Sequence, residues 1–210
     1  MVQVILHPPK TVKTMKILAS HIVLLLCTLT ALNLHANDRV IRKTHHKSGE
    51  LKTELPYKDG RLDGVGKTYY VSGELRSEEL FKDGKRNGVS KFYYKSGPLK
   101  FDLHYKDEIK NGLAKEYYRS GELLSESTYK NGKINGIAKS YYKSGCVKHA
   151  VSFKKNMLDG LSKDYSESCS LSQEVLYRRG KAISGYEYTK EGKKIKMTGG
   201  GIFVINQKTK

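Results

Sequence analysis

Short runs in which apolar and polar residues alternate, each cut by a glycine-containing pair, fill the chain from about Gly49 to about Gly185. In one such unit, Val65-Gly66-Lys67-Thr68-Tyr69-Tyr70 ends at Ser72-Gly73, Glu74 to Lys82 ends at Asp83-Gly84, and Lys85-Arg86-Asn87-Gly88 opens the next unit. Alternation of this kind is the period of a strand, whose successive side chains point to opposite faces. No segment here holds a 3.6-residue apolar period for more than a turn or two. Asp-Gly and Asn-Gly supply the positive φ of tight hairpin turns, so each unit reads as a β-hairpin.

The pattern also returns at a fixed interval of 24 residues. Ser-Gly recurs at Ser48-Gly49, Ser72-Gly73, Ser96-Gly97, Ser120-Gly121 and Ser144-Gly145, and a second glycine keeps step at Gly64, Gly88, Gly112, Gly136 and Gly160. A period of this size marks tandem copies of one supersecondary unit, each needing its neighbours to bury a face. The expected fold is all-β: an elongated single-layer antiparallel β-meander of tandem 24-residue hairpins. Such arrays serve mostly as binding surfaces or spacers.

Centring the loops on Ser72-Gly73 and Asp83-Gly84 sets Tyr70 opposite Leu75, and Leu75 opposite Phe92. One face then carries Thr68, Tyr70, Leu75, Phe81, Phe92 and Tyr94 with their equivalents, beside a column of small residues, Gly66, Ser90, Ala114, Ala138 and Ser162. The other face repeats an aliphatic residue (Val65, Val89, Leu113, Ile137, Leu161), a lysine and a tyrosine. Its candidate binding surface is Lys67, Tyr69, Lys91, Tyr93, Lys115, Tyr117, Lys139 and Tyr141. Two readings of the lysines stand: a ligand-binding ladder, or stems that lie across apolar surface while the ammonium stays wet.

Composition fits a sheet with little interior. Hydrophobic residues make up 38% of the 210 residues, below the usual ~45–50% of globular domains. Net charge is +18. Lys58, Lys82, Lys106, Lys130 and Lys154 recur before the inter-unit turn, and strand spacing places such a column at steps of roughly 9–10 Å. Rows of this kind suit an anionic membrane or glycan surface. They also protect sheet edges, a common use of lysine. Because 21 acidic residues are interleaved with the basic ones, a protein partner is the first expectation. The anionic surface is the alternative, and neither nucleic acid nor a small-molecule substrate is expected.

The N-terminal region reads as an export signal, with translation starting at Met15. Lys16 supplies the charge, Ile17 to Leu32 the apolar stretch, and Leu34-His35-Ala36 a cleavage site before Asn37. The expected organisation is a signal peptide over 1–36, a lead-in over 37–46, the repeat array over 47–196, and a tail or capping strand over 197–210. The destination would be the periplasm or exterior. Cys146 and Cys169 then fall in adjacent hairpins on one edge of the sheet, a candidate disulfide in an oxidising compartment. Two free thiols are the alternative, because nominal spacing between neighbouring turns exceeds the ~5.5 Å between Cα atoms that a disulfide prefers.

Catalytic chemistry finds no support. His104 and His149 occupy different columns and opposite faces, no histidine-cysteine cluster has metal-ligand spacing, and no nucleophile stands with a base. Glu54, Glu78 and Glu126 recur in step with the lysines as ion-pairing partners. No cofactor is implied.

The unit Gly-x-x-x-x-Tyr-Tyr-x-Ser-Gly-x-Leu, followed by an aromatic-Lys-Asp/Asn-Gly turn, resembles the MORN motif in its bacterial variant. It is clear in Gly64 to Gly88, Gly88 to Gly112, Gly112 to Gly136 and Gly136 to Gly160, with Glu108 replacing one turn glycine and Ser166 and Cys169 marking decay further on. The resemblance implies a non-catalytic scaffold for proteins or lipids, in a group where many bacterial members carry an antitoxin label. An exported immunity or envelope protein reconciles that label with the export signal.

Overall fold

The computed structural model describes residues 39–197. The expected signal segment over 1–36, its start at Met15 and nearly all of the tail over 197–210 lie outside them. The described residues form one 16-stranded antiparallel sheet without a helix.

The strands are β1 (Arg39–His45), β2 (Leu51–Lys58), β3 (Arg61–Leu62), β4 (Gly64–Tyr69), β5 (Leu75–Lys82), β6 (Lys85–Tyr93), β7 (Leu99–Lys106), β8 (Ile109–Tyr117), β9 (Leu123–Lys130), β10 (Lys133–Ile134), β11 (Gly136–Tyr141), β12 (Val147–Lys154), β13 (Met157–Tyr165), β14 (Leu171–Arg178), β15 (Lys181–Tyr188) and β16 (Lys194–Lys196). They pair in chain order, with β3 and β10 as two-residue extensions ahead of β4 and β11. Residues 39–45, which the repeat pattern leaves in the lead-in, form the first strand and pair with β2 throughout.

Two turn chemistries alternate along the sheet. At one edge Gly73 N–H donates to Tyr70 C=O at 2.9 Å and Tyr70 N–H to Glu74 C=O at 2.9 Å, with Gly73 at φ 93°. This is a tight turn followed by a glycine bulge. At the other edge Asp83 and Gly84 both have positive φ, 50° and 84°, the signature of a type I′ hairpin. The Gly84 amide also donates back to Leu62 of the preceding unit at 2.8 Å, so each type I′ turn is tied to its neighbour.

The bulges correct the expected pairing. Gly64 to Thr68 pair with Phe81 to Ser77 as expected, but at the turn Leu75 faces Tyr69 instead of Tyr70. Across the next turn Phe92 faces Ser77, two residues from the expected Leu75. The cause is Gly88, whose φ of 124° lets the strand absorb extra residues beyond Phe81–Arg86. A shift of two preserves the faces, which is why the partition into two surfaces survives.

The packed face is the one with the small column. Ser77, Ser90, Ala114, Ser162 and Val175 are buried there, beside Tyr105 and Tyr177. Gly66 shows why the column is small: a Cβ on it would lie 3.0 Å from both Leu55 and Phe81 side chains. The sheet therefore makes its core by folding large side chains over small ones on a single layer. Phe92 and Phe101 meet edge-on, with ring centroids 6.5 Å apart.

Candidate functional site

On the opposite face three rows run across the strands. The first is aliphatic and open to solvent: Val65, Leu80, Val89, Leu113, Ile137, Leu161 and Leu176, from 37% exposed at Leu113 to 56% at Ile137. Val65 pairs directly with Leu80, and Leu161 with Leu176, so the stripe is continuous at those points.

The second row alternates charge. In register order it reads Lys43, Glu54, Lys67, Glu78, Lys91, Asp102, Lys115, Glu126 and Lys139, each residue opposite the next. Lys43 meets Glu54 at 2.8 Å, Lys67 meets Glu78 at 3.4 Å and Lys139 meets Glu126 at 3.6 Å. The lysines, open to reading as a ligand ladder or as solvated stems, thus stand opposite acids of the same row, and partly exposed pairs of this sort each contribute little.

The third row is the first tyrosine of each Tyr-Tyr pair. Tyr69 donates to Glu54 at 2.7 Å, Tyr93 to Glu78 at 3.1 Å and Tyr141 to Glu126 at 2.6 Å. Burial, reinforced by the carboxylate acceptor, pushes the Tyr69 and Tyr141 hydroxyls up to about 12, and raises Tyr93 by the same causes. The Lys43 ammonium first, then Tyr69, holds the Glu54 carboxyl below its ordinary range. At Tyr117 the corresponding acid is Asp102, shorter by one methylene. One Asp102 oxygen is buried without a hydrogen-bond partner, while the His104 imidazole stands 3.8 Å from that oxygen. All eight residues of the candidate surface therefore lie on one face, in two adjoining rows.

The second tyrosine of each pair has another task, which the pattern did not disclose. Tyr70, Tyr94, Tyr118 and Tyr142 donate to the backbone carbonyls of Tyr93, Tyr117, Tyr141 and Tyr165 at 2.8–2.9 Å. Each hydroxyl reaches one unit onward. His46, 24 residues before Tyr70, makes the same contact to Tyr69 C=O at 3.2 Å. The equivalent residue after Tyr142 is Ser166, whose hydroxyl stays within its own turn. There the edge carries the Cys146–Cys169 disulfide instead, with Cα atoms 5.3 Å apart and Cys169 at φ 63° where other units place glycine. The neighbouring turns thus come closer than nominal repeat spacing implies.

Two replacements are compensated locally. Glu108, in the turn-glycine column at φ 70°, receives the Arg86 backbone N–H and pairs with the Arg86 guanidinium at 2.9 Å. Those donors hold its carboxyl low. On the packed face Ser140, His149 and Asp164 are direct register partners, and the imidazole meets the Asp164 carboxylate at 2.6 Å. The Ser140 hydroxyl is buried and makes no hydrogen bond among the described residues, to the imidazole or otherwise, so the row lacks the nucleophile-to-base contact of a triad. Sequence spacing concealed this row because its members come from three different columns. Among the described residues no group of His, Cys, Asp and Glu is arranged to hold a metal ion.

Residues 62–83, 86–107 and 110–131 match the family described as MORN repeat variant. The chain carries three MORN repeat variants within residues 62–131. Beyond them, Gly136 to Gly160 repeats the same two tyrosine contacts, Tyr141 to Glu126 and Tyr142 to Tyr165. No curated protein matches the chain.

Proposed function

We propose that the chain is a non-catalytic, exported repeat scaffold that binds a protein partner across its face of aliphatic, charged and tyrosine rows. On this reading it is a toxin-neutralising (antitoxin- or immunity-like) or envelope-associated protein of a bacterial periplasm or exterior. The observation that carries the reading is the row of exposed aliphatic residues between Val65 and Leu176, interspersed with His104, Thr128 and Ser152, lying beside a charge-balanced row and the Glu-bonded tyrosines. Exposed apolar surface bordered by polar groups favours a protein surface, and tyrosines anchor such interfaces more often than lysines do. Because Lys67, Lys91 and Lys115 each stand between two acids, they contribute little net field to attract a polyanion.

A second reading, docking on anionic membrane lipid or glycan, draws on the +18 net charge and on exposed Lys82, Lys106, Lys130 and Lys154 at the turn edge. One experiment separates them. A photo-reactive amino acid in place of Leu113, activated in the source cells, should join the chain to a discrete protein. The product should disappear when Tyr93, Tyr117 and Tyr141 are changed to serine. Absence of that product, together with tight and salt-sensitive binding to phosphatidylglycerol vesicles, would decide for the membrane reading.

A further inference from the structure

Between Lys43 and Glu174 the alternating row is interrupted at one place. Lys139 and Lys163 are both register partners of position 150, and that residue is alanine. The corresponding residue is Glu54, Glu78, Asp102 or Glu126 in preceding units and Glu174 in the following one. In three of those units the carboxylate also accepts from the tyrosine fifteen residues onward. For position 150 that tyrosine is Tyr165, and an alanine methyl offers its hydroxyl no acceptor. Glu174, the other neighbour of Lys163, is already held by Lys194 at 2.8 Å and Tyr188 at 2.9 Å. Among the described residues Lys139 keeps only Glu126, at 3.6 Å.

We propose that an acidic side chain of the protein partner seats over Ala150, between Lys139 and Lys163, and accepts from Tyr165. The other units display how a carboxylate sits in this frame, so the ligand chemistry follows from the protein's own repeats. Two ammonium groups with a phenol donor favour a carboxylate over a neutral side chain, since hydrogen bonds to a charged acceptor are the stronger ones. Ile137 and Leu161, exposed in the adjoining row, supply apolar contact around it. The place also solves a problem of register. A face that repeats every 24 residues offers a partner several equivalent positions, and a single acid-accepting site selects one of them.

This inference rests on the protein-partner reading, and its test is separate from the cross-linking at Leu113. The full chain is titrated with an N-acetylated, C-amidated triglutamate peptide while lysine side-chain and tyrosine ring signals are followed by NMR. Lys139, Lys163 and Tyr165 should shift together on one isotherm, with Lys67 and Lys91 nearly still. Ala150→Glu should weaken the peptide about tenfold by supplying the acid internally. Lys163→Met, which leaves position 150 untouched, should weaken it by several fold in case the first variant folds poorly. Equal shifts along the whole lysine row, or an affinity indifferent to both substitutions, would overturn the site. So would inorganic phosphate shifting the same three residues at equal or lower concentration. If the peptide fails while cross-linking at Leu113 succeeds, the partner binds elsewhere on the face. If cross-linking fails too, the protein-partner reading itself falls.

Discussion

The hydroxyl of Tyr94 donates to the backbone carbonyl of Tyr117 at 2.8 Å, across one whole repeat. Strand pairing already joins neighbouring strands; this contact joins a hairpin turn to the end of a strand in the next unit. Copied at Tyr70, Tyr118 and Tyr142, it forms a seam along the turn edge. Tyr94→Phe keeps the ring and removes one hydrogen bond, so thermal or urea unfolding should show a loss of about 1 kcal/mol. Tyr70→Phe and Tyr118→Phe should each cost a similar amount and add to it, because the sites share no partner. A neutral Tyr94→Phe would mean that the seam contributes nothing.

Two glycines of the strand-bulge column separate conformational cost from steric cost. Gly136 and Gly160 both hold positive φ, 119° and 113°. A Cβ on Gly136 would meet its nearest neighbour, Thr128, at 4.0 Å, whereas one on Gly160 would lie 2.8 Å from the Ser152 Cβ. Gly136→Ala should therefore cost only the backbone penalty, about 1–3 kcal/mol. Gly160→Ala should cost visibly more, since a Cβ on a paired strand cannot swing aside. Equal losses in urea unfolding would show that the sheet yields freely at Ser152.

The contrast between these two glycines marks what could be read from the residues alone. Period, hairpins, two faces and the small column from Gly66 to Ser162 were legible because each follows from alternation and turn chemistry. The pairing of Phe92 with Ser77 was not: the bulge at Gly88 is a backbone event, and a recurring glycine announces a special φ without giving its strand offset. Sequence placed the candidate lysines and tyrosines on one face. That Glu54 serves both Lys43 and Tyr69 depends on side-chain reach across two strands, which a list of columns does not give. For the same reason the alternation put the two tyrosines of each pair on opposite faces without showing that one hydroxyl meets a carboxylate and the other a carbonyl.

The Cys146–Cys169 bond closes a loop of 23 residues at the end of the tyrosine seam. Cross-linking over that span restricts the unfolded chain by about 3 kcal/mol. Reduction, or Cys169→Ser, should lower unfolding stability by that order. The loss should be concentrated in hydrogen exchange of β12 to β14, since repeat arrays respond unit by unit. Two alkylatable thiols in unreduced, exported protein would contradict the prediction.

Tyr69 and Tyr141 define an alkaline limit. Their folded-state values stand near 12, above the ordinary tyrosine value of about 10, with burial the first cause and the Glu54 or Glu126 acceptor the next. A group raised on folding contributes stability that is complete below its unfolded value and disappears as pH climbs through the folded one. The contribution should therefore be intact below about pH 10 and vanish towards pH 12. Glu54 acts in the opposite sense: its carboxyl is held low by Lys43 and Tyr69, so its share is present above the ordinary carboxyl value and fades as pH falls through the lowered one. Phenolate absorbance during an alkaline titration should show these tyrosines ionising late, together with loss of the sheet's circular dichroism. In Glu54→Gln the Tyr69 hydroxyl loses its anionic acceptor, and its ionisation should move down while that of Tyr141, served by Glu126, stays in place. A Tyr69 ionisation that stays in place in Glu54→Gln would show that burial alone, and not the carboxylate accepting from its hydroxyl, sets it.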